Sequence, residues 1–268
     1  MSLILVLAGW AVGVLINILG DCLPTERRLR KPFCATCEQP RPPLAWSGLV
    51  AYVSRRKRCP HCSTPLSFRH VLVELITPLL FVFCWLRTGA TVTVTTLFNI
   101  LYSTVFVLIM VTDLEHRLIL HVVSLPVIGL ALIGAYVNPA FDLPKRALLG
   151  GAVGLGGALL LYWMGMLFGW LISRRRGEPL PGPAFGFGDV TLTTFLGLIL
   201  GVPEIIFAIV IGICAGFVIA TLYLVIRGLV LREHKMFTAF IPYGPFLILG
   251  GATMLYFGRE FMAWYTGS

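Results

Sequence analysis

Eight apolar runs punctuate the chain, separated by short polar joints and one long polar loop. They span roughly Ser2–Gly20, Val71–Leu86, Val92–Thr112, Val122–Val137, Ala147–Ile172, Val190–Val202, Ile205–Ile226 and Pro242–Phe257. Most approach the ~20 residues that an α-helix needs to cross ~30 Å of hydrocarbon. Backbone groups inside a bilayer must bond within their own segment, so runs of this length predict helices rather than open strands. The expected fold is an all-α polytopic membrane protein of about eight transmembrane helices, with a small loop domain between the first and second. The run Val190–Val202 is short and stops at Pro203, which suits a half-helix or re-entrant piece as well as a crossing. Ser2–Gly20 follows no basic stretch and ends in no small-residue cleavage site, so it reads as a retained helix. The pattern divides the chain into a first helix at 1–20, a polar loop at 21–70 and a helical domain at 71–268.

Composition agrees with this pattern. The chain is 57% hydrophobic and only 12% charged, where soluble domains carry about 25%. Its net charge of +9 would suggest nucleic acid in a soluble protein. In a polytopic one, the tendency of Lys and Arg to collect in cytoplasmic loops accounts for it, so a lipid bilayer is expected as partner and nucleic acid is not. Of the 21 Lys and Arg residues, only Arg87, Lys145, Arg146 and Arg259 fall on the side opposite the polar loop. That asymmetry places the loop in the cytoplasm and both termini outside. Acids such as Asp21, Glu26, Glu38, Glu115, Glu178 and Glu233 then fall in cytoplasmic joints, where they read as ordinary solvated carboxylates.

The polar loop contains Cys34-Ala35-Thr36-Cys37 and Cys59-Pro60-His61-Cys62, two C-x2-C pairs with 21 residues between them. Two such knuckles can close a tetrahedral four-thiolate zinc site. The alternative is a pair of disulfides, which a reducing cytoplasm disfavours. Four cysteines leave no open ligand position, so the zinc would be structural, holding a loop without a core of its own. His61 reads as solvent-facing, and Cys22, Cys84 and Cys214 are assigned no chemistry.

Two acids abut apolar helix ends: Asp113 after the third run, and Asp189 in Gly186-Phe187-Gly188-Asp189 before the sixth. By crossing parity both emerge on the cytoplasmic side. An ionisable residue at the mouth of a membrane helix is costly without a partner or a task. The flanking glycines, Gly186 and Gly188, let the backbone bend and another chain approach. The plainer alternative for Asp189 is a helix N-cap.

Together these residues resemble the type IV prepilin leader peptidases, polytopic aspartyl proteases of the GxGD type. The resemblance runs through Gly13 to Asn17 with Leu23-Pro24, the two knuckles, Arg69 and Glu74, Asp113 to Arg117, Gly186 to Val190, and Pro242 to Phe246 with Gly250-Gly251. It implies Asp113 and Asp189 as catalytic residues and a prepilin or pseudopilin as substrate, cut in the inner membrane of a prokaryote at its cytoplasmic face. It also implies that S-adenosylmethionine could serve methylation of the new N-terminus, though no glycine-rich cofactor loop is present. The chain departs from the family at Leu120-His121, where Pro then Asp or Asn is usual, and at Thr191, where Lys is common. The first departure motivates a rival reading, a zinc-bearing membrane scaffold that binds without cutting. A transporter is a third reading, but it needs acids deep in the bundle.

Other residues carry plainer expectations. Trp10, Trp85, Trp163 and Trp170 read as interfacial or packing aromatics. Gly150, Gly151, Gly154, Gly156 and Gly157 read as close-packing positions. Glu74 lies in an apolar run and should pair with a loop arginine or snorkel.

Overall fold

The structure, a computed structural model, describes residues 1–26, 31–34, 36–138, 144–176, 186–229 and 242–267. Every apolar run forms a helix: α1 (Ser2–Glu26), α3 (Arg69–Arg87), α4 (Val94–His116), α5 (His121–Val137), α6 (Pro144–Arg176), α7 (Phe187–Leu200), α8 (Glu204–Leu229) and α9 (Gly244–Thr266). The loop adds a 3-10 turn at Pro43–Ala45 and a short helix, α2 (Gly48–Val53). Two isolated bridges are the only β pairing among the described residues. Five stretches are long and apolar enough to cross a bilayer: Ser2–Pro24, Arg69–Arg87, Val94–His116, Pro144–Arg174 and Glu204–Ile226. The chain is a multi-pass membrane protein.

The chain divides into two compact units, Met1–Leu120 and His121–Ser268. In the first, α1 packs on α3 and α4. Its approach to α3 is set by two glycines. A Cβ on Gly9 would lie 2.6 Å from Pro78 Cα, and one on Gly13 would lie 3.0 Å from Glu74 Cα. The two backbones therefore nearly touch, as small residues allow in membranes. The loop has a small apolar cluster after all, of Ala45, Ala51 and Leu66 with Tyr52 against it.

In the second unit α7 is central, packed by α5, α6, α8 and α9. It is apolar on all sides because it is buried on all sides: Val190, Leu192, Phe195 and Leu196 are each at most 1% exposed. Small residues again fix the closest contact. A Cβ on Gly197 would sit 2.1 Å from the Gly150 carbonyl oxygen, and one on Gly154 would sit 2.5 Å from that of Thr193. Gly150, Gly151 and Gly154 are therefore packing glycines, as expected. Gly156 and Gly157 are not, since a Cβ on either meets nothing within 4 Å.

The α6–α7 contact makes a direct prediction. Gly197→Ala should force the two backbones apart and cost about 1–3 kcal/mol. Gly157→Ala should be neutral or gain about 0.5–1 kcal/mol in helix propensity. Thermal unfolding of the purified protein in detergent reads the difference, and equal melting temperatures for the two variants would refute it.

Candidate functional site

The knuckles are built alike, residue for residue. Phe33 bridges Pro40 in one and Arg58 bridges Pro65 in the other. The Glu38 N–H donates to the Cys34 carbonyl (2.8 Å), and the Ser63 N–H to that of Cys59 (2.9 Å). Both Glu38 and Ser63 are left-handed, at φ 56° and 60°. Each turn thus presents two sulfurs on one side. The four ligand atoms of Cys34, Cys37, Cys59 and Cys62 lie within 4.8 Å of one another. Cys34–Cys62 and Cys37–Cys59 sulfurs are each 3.6 Å apart. A tetrahedral ion with sulfurs at 2.3 Å places them about 3.8 Å apart, so the cluster fits one metal ion. All four are free thiols, which removes the disulfide alternative. The hydroxyl and backbone of Thr64 hold the Cys62 thiol down at about 6, while Cys37, despite the Gln39 backbone, is pushed up to about 12 by burial and its sulfur neighbours. His61 is exposed and outside the cluster.

Glu74 does neither of the things expected of it. It is 1% exposed, and among the described residues its hydrogen-bond partners include no arginine. Its carboxylate instead accepts from Trp10 Nε1 (3.1 Å), Asn17 Nδ2 (3.3 Å), Ser47 Oγ (2.5 Å), and the backbone N–H groups of Gly48 (2.6 Å) and Leu49 (3.1 Å). The last three belong to the start of α2, where orphan donors and the helix dipole favour an anion. A Cβ on Gly48 would lie 2.6 Å from His70 Cβ, so the loop helix is seated directly on α3. Trp10 is therefore a hydrogen-bond donor to a buried acid as well as a packing aromatic.

Asp113 lies in the last turn of α4 and is 5% exposed. The helix stops at Arg117, whose left-handed backbone (φ 55°) returns its N–H to the Asp113 carbonyl at 2.9 Å. Asp21 and Glu115, expected to be merely solvated, are both held by Arg69. His70 Nε2 lies 3.1 Å from the second Asp21 oxygen. That set escaped sequence reading because its members come from three separate helices.

Asp189 is not the N-cap of α7; Gly186 is. Asp189 sits in the first turn, 9% exposed, and its Oδ2 accepts from the Gly186 N–H at 3.0 Å. Gly186 has an ordinary φ of −85°, so its value here is space: a Cβ would lie 3.4 Å from that same oxygen. Phe187, half exposed, makes edge contacts with the rings of His121 (5.7 Å between ring centres) and Tyr162 (6.1 Å). His121, the departure from the family pattern, thus packs on the glycine motif. The Thr193 hydroxyl donates to the Asp189 carbonyl at 2.7 Å. Asp113 belongs to the first unit and Asp189 to the second. The Pro-Gly-Pro-Ala-Phe stretch before the motif and the joint at 230–241 lie outside the described residues.

Replacing Glu74 with Ala would strand five donors around an empty site. The expected cost is about 3–5 kcal/mol, because each buried donor left without an acceptor costs about 1–3 kcal/mol and some will find other partners. Limited proteolysis should then cut the loop at 41–58 far faster than in wild type. An unchanged digestion rate would show that the loop is seated by other means.

Two family models match the chain: the Bacterial Peptidase A24 N-terminal domain over residues 7–88, and the Type IV leader peptidase family over residues 100–221. Similar curated proteins are the prepilin leader peptidase/N-methyltransferases of Legionella pneumophila, Xanthomonas campestris pv. campestris and Aeromonas hydrophila. The first is 27% identical over 89% of this chain and 76% of its own. The second is 29% identical over 81% and 69%, and the third 28% over 90% and 77%. No solved structure matches the chain. The two models cover the knuckles, both candidate aspartates and most of the helices between them, and the chain belongs to the type IV leader peptidase family.

Proposed function

We propose that this peptidase is an aspartyl endopeptidase that removes the basic leader of a type IV prepilin or pseudopilin. Asp113 and Asp189 are its catalytic pair, Gly186 and Gly188 shape the second aspartate's turn, and the cut falls at the cytoplasmic face of the inner membrane. The observation that carries the reading is burial. Two carboxylates, each at most 9% exposed, sit at helix ends inside the segment matched by the peptidase family model. The distribution of Lys and Arg supports the cytoplasmic orientation. The names of the relatives supply the substrate class.

The chemistry requires the two carboxyls to share one water and one proton. Close carboxyls cannot both ionise, so one keeps its proton. The ionised member takes a proton from water as it attacks the scissile carbonyl. The protonated member gives its proton to the carbonyl oxygen; as the C–N bond breaks, the first aspartate passes the proton it took from water to the leaving amine, and the second recovers its own from the collapsing diol. The pair titrates as a unit, so neither aspartate alone owns the proton. Such a cut would release a basic leader into the cytoplasm and leave an apolar helix in the bilayer. The four-cysteine cluster suits zinc, with no open ligand position for catalysis, and its role is to hold the loop that α2 seats on α3.

Asp113→Asn and Asp189→Asn should each lower leader cleavage by at least about 10³-fold while membrane insertion is unchanged. Gel-shift assay of a prepilin in membranes bearing each variant measures this, and substantial cleavage by either would end the mechanism. The same experiment separates a peptidase from a non-cutting scaffold. Incubating membranes with cleaved pilin and methyl-labelled S-adenosylmethionine measures the second activity that the relatives' names carry.

A further inference from the structure

From the Arg69 contacts we infer that this residue is a positioning residue for Asp113, acting through Glu115. This rests on Asp113 being catalytic, as proposed above. Arg69 opens α3 and is 13% exposed in its side chain. One guanidinium nitrogen pairs with Asp21 on α1 and the other with Glu115 on α4. Arginine suits this task because its planar fork presents several donors in fixed directions. The last turn of α4 has reason to need such a tie. Asp113 and Glu115 both lie where the helix dipole is negative, an unfavourable place for acids. The final carbonyls of a helix also lack partners, so ends fray. The helix stop itself rests on Arg117, a left-handed residue that is not glycine. Arg69 neutralises the acid two residues beyond Asp113 and fastens it to α1 and α3. The packing leaves little slack at that junction: a Cβ on Gly20 would lie 2.9 Å from Val111 and 3.4 Å from Arg69 Nη1.

The tie predicts a split between binding and turnover. A carboxylate displaced by about 1 Å can cost up to 10²-fold in rate without changing substrate binding. Purified full-length enzyme should be assayed on a prepilin with Glu115→Gln, Arg69→Gln, the double variant, and Asp113→Asn as reference. Glu115 is 35% exposed in its side chain, so Glu115→Gln is the variant least prone to misfold. Its kcat should fall about tenfold with KM within about twofold. The double variant should be no slower than Arg69→Gln, because the two groups act as one unit. Hydrogen exchange at the backbone of residues 113–117 should quicken in Glu115→Gln. Wild-type kcat and exchange in Glu115→Gln, or losses that multiply in the double variant, overturn the inference while an inactive Asp113→Asn leaves the catalytic reading standing. An active Asp113→Asn removes the catalytic reading itself.

Discussion

A carboxylate withdrawn from water must be matched by donors or it will not stay charged, and the first unit is arranged around one such acid. Glu74 lies in a membrane helix at 1% exposure. It is satisfied by two side chains of α1, one hydroxyl of the loop and two backbone N–H groups of α2. No single segment could supply all five, so the demand draws three elements together. Burying an unmet charge would cost several kcal/mol, comparable to the whole stability of a small domain. The packing follows from this: Gly13 and Gly48 have no side chain where α1 and α2 meet α3. The second unit obeys a different constraint. Its central helix α7 has little to bond with, and backbone proximity to α6 through Gly150, Gly154 and Gly197 does the holding.

Much of this was legible in the residues. Each of the eight apolar runs is a helix, because length and hydrophobicity leave a membrane segment few alternatives. Each C-x2-C turn fixes its two sulfurs locally, so two such turns advertise a four-cysteine cluster, and the structure brings all four ligand atoms within 4.8 Å of one another. The environment of Asp189 was half legible: an acid before an apolar run suggests an N-terminus, but the cap falls on Gly186. What sequence could not give were contacts between distant segments. Glu74 looked like an acid that would pair with a loop arginine or snorkel, and its backbone donors leave no mark on the amino-acid pattern. Asp21 and Glu115 looked solvated because their common partner, Arg69, is 48 and 46 residues away. Gly156 and Gly157 continue the glycine pattern of Gly150 and Gly154, yet a Cβ on either meets nothing within 4 Å, while one on Gly150 or Gly154 would run into the backbone of α7.

The departures from the family pattern have a structural counterpart in one case. His121 stands where the family has an acid or amide, and its ring, like that of Tyr162, makes an edge contact with the half-exposed Phe187. The residue between the two motif glycines is thereby held by aromatic edges. For the Thr191 departure the counterpart is local: its hydroxyl returns to the Gly188 carbonyl at 2.8 Å, inside the helix.

The paired knuckles bracket Ser47, Gly48 and Leu49, the loop's contribution to the Glu74 site. An ion gripped by all four sulfurs turns the intervening stretch into a closed ring, with far fewer shapes open to it than a free chain has. The ring's midpoint is the part that plugs into the membrane helices. Binding of such an ion would therefore share one free-energy cycle with seating of the loop, each gaining what the other has already spent in ordering the chain.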